Sequence, residues 1–160
     1  MRVLMIGDIV GNPGVNFVRN HLKSIRRLNG IDFCIANGEN AANGKGISKG
    51  NANELFSCGV DVITLGNHAF HKEDVFRLFD DDYNIIRPIN MPAGTPGAGY
   101  IIYEAGDHSI CVINACGRIY LDLADCPFKA INSALEKIQS KAKIIIVDFH
   151  AEATSEKIAM

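Results

Sequence analysis

The chain has 160 residues, 48% of them hydrophobic and 21% charged, enough to bury one substantial core; a length near ~150 residues predicts a single domain, residues 1–160. A formal net charge of -2 gives no basic footprint for duplex nucleic acid, and the local cluster Lys23, Arg26, Arg27 fits the solvated face of a helix. The apolar run Val3–Ile6 is too short for a signal-peptide core and nowhere do about 18 apolar residues follow one another, so no membrane partner is expected and a cytoplasmic location is.

Val3–Ile6 reads as a buried strand. Gly7, Gly11, Pro13 and Gly14 break it before a helical pattern that carries Val15, Val18, Leu22, Ile25 and Leu28 on one face. The unit repeats: a strand over 32–36, a Gly/Asn-rich loop over 37–46, and a helix over about 48–58 with Ser48 as its N-cap. A third buried strand covers 60–65, then a loop over 66–70 and a helix over about 72–79, closed by the acidic run Asp80, Asp81, Asp82 as a solvated terminus.

Residues 87–99 hold Pro88, Pro92, Pro96 and three glycines, a composition that excludes a helix or an inner strand and predicts a long surface loop. Strands over 100–104 and 109–114 read as an antiparallel hairpin turned by Gly106 and Asp107. A helix over about 127–140 precedes the last strand, 144–148, and Thr154 is placed to cap one more helix. The five cysteines are odd in number and lack C-x-x-C spacing, so they read as reduced thiols, mostly small core residues.

Alternation of the first three strands with helices predicts a parallel sheet, whose ligands collect beyond the carboxyl ends of its strands. Asp8, Glu39, Asn67 and His150 all fall at strand ends. Taken singly, Asp8 and Asn67 are ordinary turn residues, and His68 and His150 ordinary loop histidines. Glu39 is harder to dismiss: between Gly38 and Asn40, after a buried strand, it has neither helix propensity nor a turn role to explain it. Together these strand ends offer hard oxygen donors and imidazole, the mixture suited to Mn, Fe, Zn or Mg and not to a thiolate site. His21, His71 and His108 are assigned to a helix surface, a helix start and a hairpin turn. Neither Gly7–Gly14 nor the glycines around Lys45 has the spacing of a dinucleotide or phosphate-binding loop.

The segments Gly7-Asp8-Ile9-Val10-Gly11, Asn37-Gly38-Glu39-Asn40-Ala41-Ala42, Thr64-Leu65-Gly66-Asn67-His68 and Val147-Asp148-Phe149-His150 closely resemble the YmdB-like branch of the calcineurin-like metallophosphoesterases. The resemblance runs over essentially the whole chain. Val10, where the wider superfamily has His, and Glu39, where it has Asp, are both features of that branch. The resemblance implies an α/β fold of the metallophosphoesterase type, a two-sheet sandwich flanked by helices. It also implies two divalent metal ions and hydrolysis of phosphodiesters such as 2',3'-cyclic nucleotides. By position, Asp8 resembles a ligand of the first metal, Glu39 the bridging carboxylate, Asn67 and His150 ligands of the second, and His68 the histidine beside the attacked phosphate. Asn40 matches a family position close to the centre, expected to meet substrate.

The family continues to a His-x-His element that gives one ligand to each metal, and none stands before Met160. The expectation is therefore a fold lacking its C-terminal part, inactive unless the missing ligands come from a partner chain or water. An exposed edge or apolar surface is expected near the last strand, with a homo-oligomer as one way to cover it. The rival reading is a non-catalytic binding or assembly module of the same fold, in which Asp8 and Glu39 are hydrogen-bonded to protein.

Overall fold

The computed structural model describes every residue of the chain except Asp82, Asp107, Leu123 and Gln139. It is a mixed α/β fold with two sheets and flanking helices, and the chain forms two compact units, Met1–Ile85 and Ile86–Met160.

In the first unit the elements run β1 (Val3–Ile6), α1 (Gly11–Asn29), β2 (Phe33–Asn37), α2 (Lys49–Cys58), β3 (Val62–Thr64), α3 (Asp74–Asp80) and β4 (Ile85–Ile86). The sheet order is β1-β2-β3-β4, and β1, β2 and β3 are parallel as the alternation requires. Register pairs Val3 with Phe33, Ile6 with Ala36 and Asn37 with Thr64, which brings the carboxyl ends of the three strands to one edge. β2 is buried along its whole length, which is why 33–36 reads as an unbroken apolar run.

Helix α1 begins at Gly11, earlier than its breakers suggest, because Pro13 and Gly14 stand in a first turn whose N–H groups need no intrahelical partner. Val15, Val18 and Leu22 are buried as expected. Leu28 is not: it is 77% exposed, since helical periodicity marks a face and not the extent of sheet beneath it. Gly30, at φ +59, ends the helix with its N–H on the Arg26 carbonyl. Ser48 caps α2, its hydroxyl accepting from Asn51 N–H at 3.2 Å. Ser48→Ala is expected to lower stability by about 1 kcal/mol, read as a shift of the urea midpoint at constant slope. Helix α3 starts at Asp74, so His71 lies in the preceding turn and not at a helix start.

In the second unit the elements are β5 (Tyr100–Ala105), β6 (His108–Cys116), α4 (Pro127–Ile138), β7 (Ile144–His150) and α5 (Thr154–Ala159). β5 and β6 form the expected hairpin. Gly106 turns it at φ +60, while Asp107 lies outside the described residues, as do Asp82 of the acidic run and Gln139 after α4. His108, assigned above to the turn, opens strand β6. β7 joins β6 in parallel, with Asn114 opposite Asp148 and Cys116 opposite His150. Cys111, Ile113 and Ala115 of β6 pack with Ile131, Ala134 and Ile138 of α4 to make the core.

The Pro-rich stretch is not wholly at the surface. Asn90 is 1% exposed and works as a strut, its amide donating to the Cys116 and Asp125 carbonyls and accepting from Cys116 N–H, each at 2.8 to 2.9 Å. Irregular backbone can be buried when side chains satisfy its polar groups. Strand β7 extends through His150, two residues beyond the expected end, and Thr154 is the first residue of α5 and makes no side-chain cap. β7 is the outer strand of its sheet, each of its residues half-buried.

Candidate metal centre

Asp8 follows β1 by two residues, Glu39 follows β2 by two, and Asn67 and His68 lie in the turn after β3. Two backbone bonds strap the first of these loops to the second: Ile9 N–H to the Asn37 carbonyl at 3.0 Å and Gly11 N–H to the Asn40 carbonyl at 2.9 Å. A third, Gly38 N–H to the Thr64 carbonyl at 2.9 Å, ties the second to β3. Parallel register and these straps together decide where the side chains meet.

They meet at Asn40. Its Nδ2 stands 2.9 Å from both Asp8 carboxylate oxygens and 3.1 Å from Glu39 Oε1. Its Oδ1 lies 2.7 Å from His68 Nδ1. With the amide nitrogen directed at the carboxylates, the oxygen must accept, so the His68 ring carries its proton on Nδ1 and leaves Nε2 for another group. His68 backbone N–H donates to Glu39 Oε2 at 3.1 Å, and the ring nitrogen Nδ1 is 3.6 Å from Oε1.

Glu39 is 1% exposed, whereas Asp8 is exposed at the mouth of the site. An ionised carboxylate at that depth costs several kcal/mol unless compensated, and a second carboxylate on the same amide adds repulsion. Among the described residues no three His, Cys, Asp or Glu side chains form a set able to hold an ion; at this cluster the other oxygen donor beside the two carboxylates is the Asn40 amide. That donor chemistry, hard oxygens with imidazole nearby, fits a divalent cation of the Mg, Mn, Fe or Zn type.

The structure thus brings Asp8, Glu39, Asn40 and His68 into one hydrogen-bonded cluster, with Asn67 beside His68 in the same turn. His150 belongs to the second unit, as the last residue of β7, where its carbonyl accepts from Gly117 N–H at 2.8 Å.

Sequence reasoning missed Asn37, 4% exposed, whose Oδ1 accepts from Glu39 N–H at 3.2 Å and whose amide donates to the Leu65 carbonyl at 3.3 Å. It fixes the Glu39 turn from beneath. An Asn at the end of a wholly apolar strand was the available signal. The loop then closes through Gly46 at φ +77, where a Cβ would come within 2.8 Å of Lys72 Cγ and 3.2 Å of His71 Cβ, so glycine lets this loop touch the segment that follows His68.

The cysteines take no part. Burial pushes the Cys34 thiol up to about 12 and Cys111 to about 11, so both stay protonated at neutral pH. Ellman's reagent at pH 8 is expected to label only Cys126 quickly, since it alone is not buried; Cys34, Cys58, Cys111 and Cys116 should follow on unfolding.

Residues 4–160 match the family described as YmdB-like protein. The chain belongs to the YmdB-like family. It is 41% identical over 160 residues to the 2',3'-cyclic-nucleotide 2'-phosphodiesterase of Bacillus subtilis (strain 168), covering 100% of this chain and 61% of that protein. A crystal structure of a hypothetical protein from Thermus thermophilus superposes with a TM-score of 0.92 at 45% identity, covering 99% of this chain and 61% of the other. A crystal structure described as a novel phosphatase, from Mycoplasma pneumoniae, gives 0.89 at 32% identity, covering 98% and 57%. This YmdB-like chain therefore spans about three fifths of the length of the relatives it matches. Among the described residues, no helix is long and apolar enough to cross a membrane.

Proposed function

We propose that the chain carries the hydrolytic centre of a metal-dependent phosphodiesterase acting on 2',3'-cyclic nucleotides or related small phosphodiesters. One observation carries the reading: a single amide, Asn40, is bonded on one side to two carboxylates, Asp8 and Glu39, and on the other to the imidazole of His68. Asp8, Glu39 and Asn67 are the residues of the first unit that would hold divalent cations, and the Asn40 amide, already at the carboxylates, is a further donor if it turns its oxygen toward them. Bound divalent cations supply Lewis acidity toward phosphoryl oxygens and lower the pKa of water.

The chain's own groups do the rest. Glu39 is held by the backbone N–H of His68 and by Asn40, so its carboxylate is oriented before substrate arrives. His68, braced through Nδ1 by Asn40, presents Nε2 to the substrate. As the oxygen of a water molecule adds to phosphorus and the ring P–O bond breaks, His68 would give a proton from Nε2 to the leaving ribose oxygen, and the proton that the water gives up would restore the one on the ring. The product is a phosphate monoester with the freed hydroxyl on the same ribose.

The second reading, a non-catalytic module, draws support from the same amide, because Asn40 already donates to both carboxylates. The two separate on one experiment: calorimetric titration of the chain with manganese, paired with an assay of adenosine 2',3'-cyclic phosphate. Binding with turnover supports the enzyme. No heat of manganese binding and no turnover at high manganese concentration supports the module.

A further inference from the structure

The Asn40 amide has a nitrogen side and an oxygen side, and the groups around it decide which way it points. Its Nδ2 stands 2.9 Å from both Asp8 carboxylate oxygens and 3.1 Å from Glu39 Oε1, and its Oδ1 lies 2.7 Å from His68 Nδ1. Without a cation only this orientation holds, because the opposite one would set an amide oxygen against two carboxylates with no proton between them. At the buried Glu39 oxygens little water is at hand to screen that repulsion.

His68 is bound by the same choice. Glu39 Oε1, 3.6 Å from Nδ1, is too far to hold a proton there, so the ring's partner on that side is Asn40. Facing an amide oxygen, a neutral imidazole keeps its single proton on Nδ1. Its Nε2 is then a lone pair with nothing to donate.

With a cation between the carboxylates the preference reverses. Neighbouring oxygens in an octahedral shell with bonds of about 2.0–2.1 Å stand roughly 2.9 Å apart, the spacing Asn40 Nδ2 already keeps from Asp8 and nearly keeps from Glu39. A half turn of the amide puts Oδ1 where such a shell needs an oxygen. The backbone need not follow, since the Asn40 carbonyl is pinned by Gly11 N–H at 2.9 Å and Gly44 N–H at 3.1 Å. The same half turn directs Nδ2–H at His68 Nδ1, which must now accept. One proton leaves Nδ1 and one arrives at Nε2, and the ring stays neutral; the side chain is 27% exposed, so solvent can carry the exchange.

We propose that Asn40 is a positioning residue that couples cation occupancy at Asp8 and Glu39 to the tautomer of His68: proton on Nδ1 without a cation, on Nε2 with one. The coupling rests on the metal-dependent reading above and gives it an order of events. His68 has a proton to offer a leaving oxygen only after the centre is filled.

The test is NMR of the histidine ring nitrogens at about pH 8, above the ordinary imidazole pKa of ~6.5, with and without magnesium, which is diamagnetic. The side-chain carboxyl carbons of Asp8 and Glu39 report occupancy in the same samples. Without magnesium, His68 should show a protonated Nδ1 and an unprotonated Nε2; at saturation the two should exchange. His71, whose ring centroid lies 6.0 Å from that of His68, should not change tautomer. In Asn40→Asp an oxygen faces both sides, so His68 should keep its Nδ1 proton even with the carboxyls saturated. A protonated Nε2 before magnesium is added, or carboxyl signals that move while His68 keeps its tautomer, overturns the proposal and leaves the metal reading standing. Carboxyl signals that never move at high magnesium reject that reading and the proposal with it. A tautomer exchange in a chain that hydrolyses no diester supports the coupling and rejects the phosphodiesterase reading.

Discussion

Glu39→Gln is expected to lower kcat/KM for adenosine 2',3'-cyclic phosphate, assayed with manganese, by about a thousandfold, equivalent to roughly 4 kcal/mol of transition-state stabilisation. Glutamine has the size of glutamate and its oxygen can still accept from the His68 N–H, so the variant loses the charge and the one hydrogen bond from Asn40 Nδ2, whose acceptor becomes an amide nitrogen. Without metal the variant should melt no lower than the wild type, because a buried carboxylate facing the Asp8 carboxylate is replaced by a neutral amide. With metal the comparison reverses: the wild type should gain stability with manganese concentration, about 2.7 kcal/mol at a hundred times Kd, while the variant gains little. Thermal melts with and without manganese read this independently of turnover. A wild type and variant that hydrolyse equally would remove Glu39 from the centre.

Glu39 was legible because nothing local explains it, and its burial to 1% exposure follows from that same exclusion. The parallel order of β1, β2 and β3 was legible for a related reason: continuous apolar runs alternating with amphipathic helices admit few other arrangements. Once register is set, Asp8, Glu39 and His68 have to share one sheet edge.

What stayed hidden depends on contacts distant in sequence. Asn40 looks like one more turn residue in a Gly/Asn-rich loop, and its bridging of Asp8, Glu39 and His68 exists only after three loops converge. Asn90 sits among prolines, where composition signals exposure, yet its amide closes hydrogen bonds to Cys116 and Asp125. Glu156 is a charged residue in a short terminal helix, and its burial is created by backbone 38 residues earlier in the chain. Periodicity reports which residues prefer the interior. It does not report which polar residues the interior needs.

His68→Ala is expected to separate substrates by their leaving groups. For adenosine 2',3'-cyclic phosphate the departing oxygen is an alkoxide that needs a proton, and loss of a positioned general acid typically costs about 10²–10⁴-fold in rate. For bis-p-nitrophenyl phosphate the departing phenolate is stable without protonation, so the same variant should lose far less. The Asn40 brace makes a second variant informative: Asn40→Asp keeps an oxygen for His68 Nδ1 but removes the N–H donors that lie between Asp8 and Glu39, gathering three carboxylates in their place. Its loss should extend to both substrates, because it disturbs the acidic pair and not the proton donor alone. If His68→Ala slows both diesters by the same factor, the ring holds the phosphate or the fold, and the proton must come from elsewhere.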